Sequence, residues 1–133
     1  MTKKKIAFIC VHNSCRSQIA EALGKLYLQD AFECYSAGSE IKPNINPDAV
    51  RLMKKLYNID MEKAQYSKTF DQIPTPDIAI SMGCDVKCPY IGKEFDENWN
   101  LEDPTGKEDE VFIQVIHEIK ENIISLKNQL TLD

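Results

Sequence analysis

A short apolar run, Lys5-Ile6-Ala7-Phe8-Ile9, passes through the polar stretch Cys10-Val11-His12-Asn13-Ser14-Cys15-Arg16 into a segment where Ile19, Ala20, Leu23, Leu26 and Tyr27 recur at helical spacing. The run is rich in β-formers and does not alternate, so it reads as a strand buried on both faces, the kind found in parallel sheets. A helix is expected from about Ser17 to Gln29. The rest of the chain repeats the pattern. Phe32–Ser36 is a second strand closed by Ala37-Gly38. Asn46 caps a second helix that Pro47 opens, with Ala49, Leu52, Met53 and Leu56 on its apolar face. Asp77–Ser81 is a third strand, Phe95–Trp99 holds a short edge strand, and a last helix runs from about Glu108 to Leu130. Strands alternating with helices imply an α/β fold: one domain over residues 1–133, a three-layer sandwich with a central four-stranded parallel sheet flanked by helices. Ligands in such sheets bind at the carboxyl ends of the strands, where Cys10, Gly83 and Cys84 fall.

The stretch from Cys10 to Arg16 has its own chemistry. A loop of this length curls so that backbone N–H groups converge on its centre and make a nest for an oxyanion. The helix beginning near Ser17 adds the positive end of its dipole there. Arg16 closes the loop with a planar fork that grips two oxygens at once. The same field favours the thiolate of Cys10, to which the Ser17 hydroxyl can donate a hydrogen bond. Asn13 is a residue type that tolerates the left-handed backbone such a cradle requires. The candidate site is thus Cys10 as nucleophile in a loop of Val11, His12, Asn13, Ser14, Cys15, Arg16 and Ser17. Against it stands a plainer reading, a buried core cysteine at a strand end.

Composition narrows the partners. The 133 residues carry a net charge of −5 and no Lys/Arg block beyond Lys3–Lys5, so a nucleic-acid partner is not expected. An anion site in an acidic protein has to be local and strong. The apolar stretch Ile6–Ile9 is too short for a signal peptide, and no run approaches the roughly 20 residues that span a membrane, so no membrane partner and a cytoplasmic location are expected. Five cysteines, an odd number, argue against a disulfide framework and for thiols that do chemistry or fill the core.

The loop Cys10-Val11-His12-Asn13-Ser14-Cys15-Arg16-Ser17 resembles the phosphate loop of low-molecular-weight protein tyrosine phosphatases, and more closely that of the arsenate reductases sharing their fold. The likeness continues through Ser36-Ala37-Gly38, Asn46-Pro47 and Asp103-Pro104. It implies that Asp103 is the general acid, although Asp-Pro by itself is a common turn starter. It also implies a relay. Cys10 forms an arsenate adduct, Cys84 attacks it to release arsenite, and Cys88 takes over the disulfide for a thiol reductant, whether thioredoxin, glutaredoxin or a low-molecular-weight thiol. The alternative is a phosphatase acting on phosphotyrosine or aryl phosphates through Cys10, Arg16 and Asp103; a third reading is a module that holds phosphate without turnover. Phosphatases of this kind usually carry aromatic residues after the Asp-Pro, where this chain has Thr105-Gly106.

Cys84 and Cys88 also admit other readings, half of a zinc site or inert packing. Only three residues separate them, which leaves the reductant open. Cys34 is expected in the core, and Cys15 either packs inward or pairs reversibly with Cys10. No cofactor is called for and no metal is assigned. Some relatives bind potassium, and Asn13, Glu21 and Ser36 match part of that site. No further acidic ligand stands near Tyr66–Thr69, where Lys68 is placed to replace the ion.

Overall fold

The computed structural model describes residues 3–83 and 95–131. Its strands are β1 (Lys4–Ile9), β2 (Phe32–Ala37), β3 (Ile78–Ser81) and β4 (Glu97–Asn98); its helices are α1 (Arg16–Tyr27), α2 (Pro47–Tyr57), α3 (Met61–Ala64) and α4 (Asp109–Thr131). All strand pairs are parallel, in the order β2-β1-β3-β4. The four-stranded parallel sheet matches the reading of the sequence. α3 and a 3₁₀ turn at Phe70–Gln72 were not anticipated, being too short to show a periodicity.

β1 is central, with its full length registered against β2 from Lys4↔Phe32 to Ile9↔Ala37 and its second half against β3 from Ile6↔Ile78 to Ile9↔Ser81. The chain leaves β1 to build one side of the sheet, then crosses to build the other. Such a reversal opens a crevice at the carboxyl end of the central strand. Cys10 stands there, directly after Ile9.

Alternation along β1 divides the core. Ile6, Phe8 and Cys10 face the helices and join Ile19, Leu23, Leu52, Met53, Phe112, Ile116, Ile119 and Ile123 in one buried cluster. Ala7 and Ile9 face the other way, with Ala37, against Phe70, Ile73 and Phe95. That second layer is thin, formed among the described residues by the 3₁₀ turn and its flanks. α2 begins as expected: the Asn46 side chain accepts from the N–H groups of Asp48 and Ala49 at 2.9 and 3.1 Å, with Pro47 in the first turn. α1 begins one residue earlier than expected, at Arg16, so the arginine belongs to the helix that follows the loop.

Candidate active site

Gly38 lets the end of β2 lie against the loop. A Cβ there would stand 2.5 Å from the Val11 carbonyl oxygen, 2.8 Å from that of Cys10 and 3.0 Å from the Asn13 nitrogen. The Ser36-Ala37-Gly38 signal in the sequence is therefore a backbone contact: no side chain fits between β2 and the cradle.

The loop sorts its backbone groups by polarity. Its carbonyls are engaged outward: Val11 O accepts from Glu40 N at 2.9 Å, His12 O from Lys42 N at 3.3 Å, and Ser14 O from Asn46 N at 2.7 Å. Asn13 O accepts from the Ser67 hydroxyl at 2.8 Å. Among the described residues, no backbone N–H from Val11 to Cys15 donates to a backbone carbonyl. Carbonyls turned outward and tied down leave the loop's positive groups for a central anion, as a nest requires. Asn13 takes the left-handed conformation, φ 50°, that reverses the chain inside the cradle.

Cys10 is buried, and its Sγ lies 2.8 Å from the Ser17 hydroxyl. Ser17 Oγ also accepts from Asn13 Nδ2 at 2.8 Å, and that amide is held the right way round because its Oδ1 accepts from the Lys68 backbone N–H at 2.9 Å. Ser17 is fully buried, and among the described residues the sulfur is the acceptor within reach of its proton, so the arrangement that pairs that proton has Ser17 donate to Cys10. A hydroxyl donating to a thiolate makes a charge-assisted hydrogen bond, the stronger kind. Arg16 Nη1 donates to the carbonyls of Leu101 and Met82 at 2.8 and 3.2 Å, so one corner of the guanidinium is tied to the chain beyond the sheet.

Cys10, Arg16 and Asp103 line one cavity of about 140 Å³, with Val11, His12, Ser14, Cys15, Lys42 and Thr105 completing its wall. No aromatic residue of the described chain lines it, apart from the imidazole of His12. A larger depression of about 480 Å³ runs along the β2 edge, but its buried Glu21 is already consumed by Lys68 and Lys25, and it holds no oxyanion cradle. Asp103 accepts from the backbone N–H and hydroxyl of Thr105 at 3.1 and 2.7 Å. Partial burial works against its charge, but these bonds and the cations Arg16 and Lys42 win, holding the carboxyl below its ordinary range. Cys15 goes the other way: burial, then the negative charges of Asp103 and Cys10, push its thiol up to about 12. It stays a neutral packed thiol beside Cys10. Cys34 is likewise buried and pushed up to about 12, first by burial and then by Glu21.

Lys68 brings its ammonium among the residues that had marked a possible cation site. Nζ donates to Glu21 Oε1 at 3.0 Å and to Tyr66 O at 3.2 Å, while the Ser36 hydroxyl donates to the same Glu21 oxygen at 2.6 Å. Cys84 and Cys88 lie outside the described residues; the chain is described to Gly83, just past the end of β3. Sequence reasoning missed Lys42, whose backbone pairing with His12 carries it to the cavity mouth. No motif announces such a residue.

A family model described as low molecular weight phosphotyrosine protein phosphatase matches residues 5–133. Arsenate reductase 1 of Staphylococcus epidermidis is 38% identical over 126 residues, covering 90% of this chain and 92% of its own. An arsenate reductase of Bacillus cereus is 40% identical over 126 residues, covering 91% and 92%. A solved arsenate reductase in the phosphate binding state superposes with a TM-score of 0.82 at 34% identity, covering 95% of this chain and 98% of that one.

Proposed function

Since the chain belongs to the low-molecular-weight phosphotyrosine protein phosphatase family, and within it to the arsenate reductases, we propose that it reduces arsenate to arsenite on the Cys10 thiolate. The observation that carries the reading is the polarity of the loop: its carbonyls are tied down, no N–H from Val11 to Cys15 is spent on a described backbone carbonyl, Cys10 and Arg16 line one small cavity, and a hydroxyl stands 2.8 Å from Cys10 Sγ. Inorganic phosphate, a tetrahedral anion of the same shape, competes for this cavity.

Arsenate settles with its oxygens on the loop amides and the fork of Arg16, presenting arsenic to Cys10 Sγ. The thiolate attacks arsenic, an As–S bond forms and one As–O bond breaks. Asp103 is a carboxylate before the substrate arrives. The negative oxyanion beside it raises its proton affinity, and the proton it takes up leaves with the departing oxygen as water. The Cys84 thiolate then attacks Cys10 Sγ. A disulfide forms, the As–S bond breaks, and its electron pair stays on arsenic, which leaves as arsenite. Cys88 attacks Cys84, freeing Cys10 and leaving a Cys84–Cys88 disulfide for an external dithiol or low-molecular-weight thiol to reduce. A relay that ends on a thiol reductant works in a reducing compartment, which supports a cytoplasmic location for this domain of residues 1–133. No described helix is long and apolar enough to cross a membrane.

The shared loop chemistry also gives weak hydrolysis of aryl phosphates, since that reaction needs only Cys10, Arg16 and Asp103. The lack of Phe, Tyr or Trp side chains around the described cavity makes a phosphotyrosine ring a poor occupant. The deciding assay compares arsenite release from arsenate, with a thiol reductant present, against hydrolysis of an aryl phosphate. Cys84→Ser is expected to abolish the first and spare the second. Arsenate-independent hydrolysis as the dominant activity, unaffected by either distal cysteine, makes the protein a phosphatase instead.

A further inference from the structure

The hydrogen bond that Ser17 directs at Cys10 is the last member of a longer chain. Gln18 is fully buried on α1, and Gln65, at the end of α3, is 6% exposed. Gln65 Nε2 donates to Gln18 O at 3.0 Å and to Gln18 Oε1 at 2.8 Å. Gln18 Nε2 donates to Asn13 O at 3.0 Å, to Asn13 Oδ1 at 2.9 Å and to Tyr66 O at 3.0 Å. Asn13 Nδ2 then donates to Ser17 Oγ, which faces Cys10 Sγ.

Each amide in this chain has two faces, and a flipped amide would exchange donor for acceptor. The backbone removes the choice at each amide. Gln18 O, a carbonyl, accepts only, so the nitrogen of Gln65 must face it. Asn13 O and Tyr66 O accept only, so the nitrogen of Gln18 must face them. The Lys68 backbone N–H donates only, so Asn13 turns its oxygen to it and its nitrogen to Ser17. The amide links therefore point one way, from Gln65 to Ser17, whose own proton has Cys10 Sγ as its acceptor within reach among the described residues.

We infer that Gln18 and Gln65 are positioning residues for the nucleophile: a one-way amide relay, Gln65 to Gln18 to Asn13 to Ser17, that fixes the Ser17 proton on Cys10. The inference rests on Cys10 being the reactive thiol and extends control of it to a residue beyond the loop and its helix. Two of the relay's acceptors also hold segment 65–68 in place: Asn13 O ties it to the loop by accepting from the Ser67 hydroxyl at 2.8 Å, and Tyr66 O ties it to α1 by accepting from Gln18. Aligned hydrogen bonds in a dry interior polarise one another, so the far end is felt at the sulfur. A wrong orientation at Gln18 sets two oxygens against each other at Asn13 and frees the Asn13 amide to turn from Ser17.

The test is alkylation of Cys10 by iodoacetamide, followed by mass on peptide 10–16 across pH, in Gln18→Met, Gln65→Met and Gln65→Glu. Gln65→Glu keeps the shape but, once ionised, has no proton to donate. Loss of a hydrogen bond to a charged group is expected to lower the rate near about pH 6.5 by about threefold to tenfold in Gln18→Met, leaving the high-pH plateau unchanged. Both Gln65 variants fall about twofold to threefold, being one link further away. In a Ser17→Ala background, where the relay is already cut, Gln18→Met has no additional effect on the ratio of the two rates. A purely structural role changes melting temperature without this pH signature. If Gln18→Met does not fold, the two Gln65 variants decide. Folded variants with the wild-type rate profile overturn the relay while leaving Cys10 as nucleophile. A wild-type Cys10 that alkylates no faster near about pH 6.5 than an ordinary thiol overturns the nucleophile reading itself.

Discussion

Replacing Gly38 by alanine puts one methyl group where β2 meets the cradle. The new Cβ would stand 2.5 Å from Val11 O, 2.8 Å from Cys10 O and 3.0 Å from Asn13 N, and all three atoms are backbone. Ordinary contact begins near 3.4 Å, so the two segments must separate by up to about 0.9 Å at the worst pair. Neither moves freely. β2 is registered to β1 through Ala37, and the loop carbonyls are tied to Glu40, Lys42 and Asn46. Overpacking of this kind costs about 1–3 kcal/mol of stability. The cost to turnover is larger, because a displacement near 1 Å in a site that positions reacting atoms lowers rates by about 100-fold. Urea unfolding gives the first figure, and arsenate turnover with phosphate competition gives the second. The reasoning predicts a folded protein, weakened in both phosphate affinity and turnover. A Gly38→Ala protein with normal turnover and normal stability would refute the claim that this backbone contact shapes the cradle.

Arg16→Lys keeps the charge but has no planar fork to hold both the Leu101 carbonyl and the oxyanion, so turnover should fall at least about tenfold, near 1.4 kcal/mol of transition-state stabilisation; near-normal kinetics would contradict the fork. Lys68→Met leaves the buried Glu21, among the described residues, with only Lys25 and Ser36 as partners, and a loss of about 3 kcal/mol in urea unfolding is expected; a loss below about 1 kcal/mol would mean that Lys25 suffices. Cys15 and Cys34 give an alkaline limit to stability. Their thiols ionise near 9.0 when exposed and near 12 when folded, so above 9.0 the unfolded state holds fewer protons and stability falls as pH rises. Each thiol contributes a loss of about 1.4 kcal/mol per pH unit in that window, and Cys34→Val should reduce the slope measured by denaturant midpoints; an unchanged slope would count against the burial argument.

Much of this was legible in the sequence, for identifiable reasons. β1, α1, α2 and α4 carry long apolar patterns, and Asn46-Pro47 announces a helix start. The cradle was legible because Cys10, Asn13, Arg16 and Ser17 are all supplied by one short stretch. What escaped depends on contacts distant in sequence. A glutamine one residue past Ser17 reads as a solvent-facing helix position; Gln18 is buried and bonded to Gln65 and Tyr66, 47 and 48 positions on. Lys42 sits in a segment without periodicity and is placed by backbone bonds to the loop. β4 spans only Glu97–Asn98 and is recruited by β3 rather than by its own propensity.

The central claim is that Cys10 carries the arsenate adduct and Cys84 resolves it. Cys88→Ser, given arsenate without reductant, tests this in one turnover. The account predicts one equivalent of arsenite per protein and a Cys10–Cys84 disulfide in the mass spectrum of the digest, with the wild type accumulating Cys84–Cys88 instead. Sustained turnover with an external thiol and no Cys10–Cys84 peptide would contradict it.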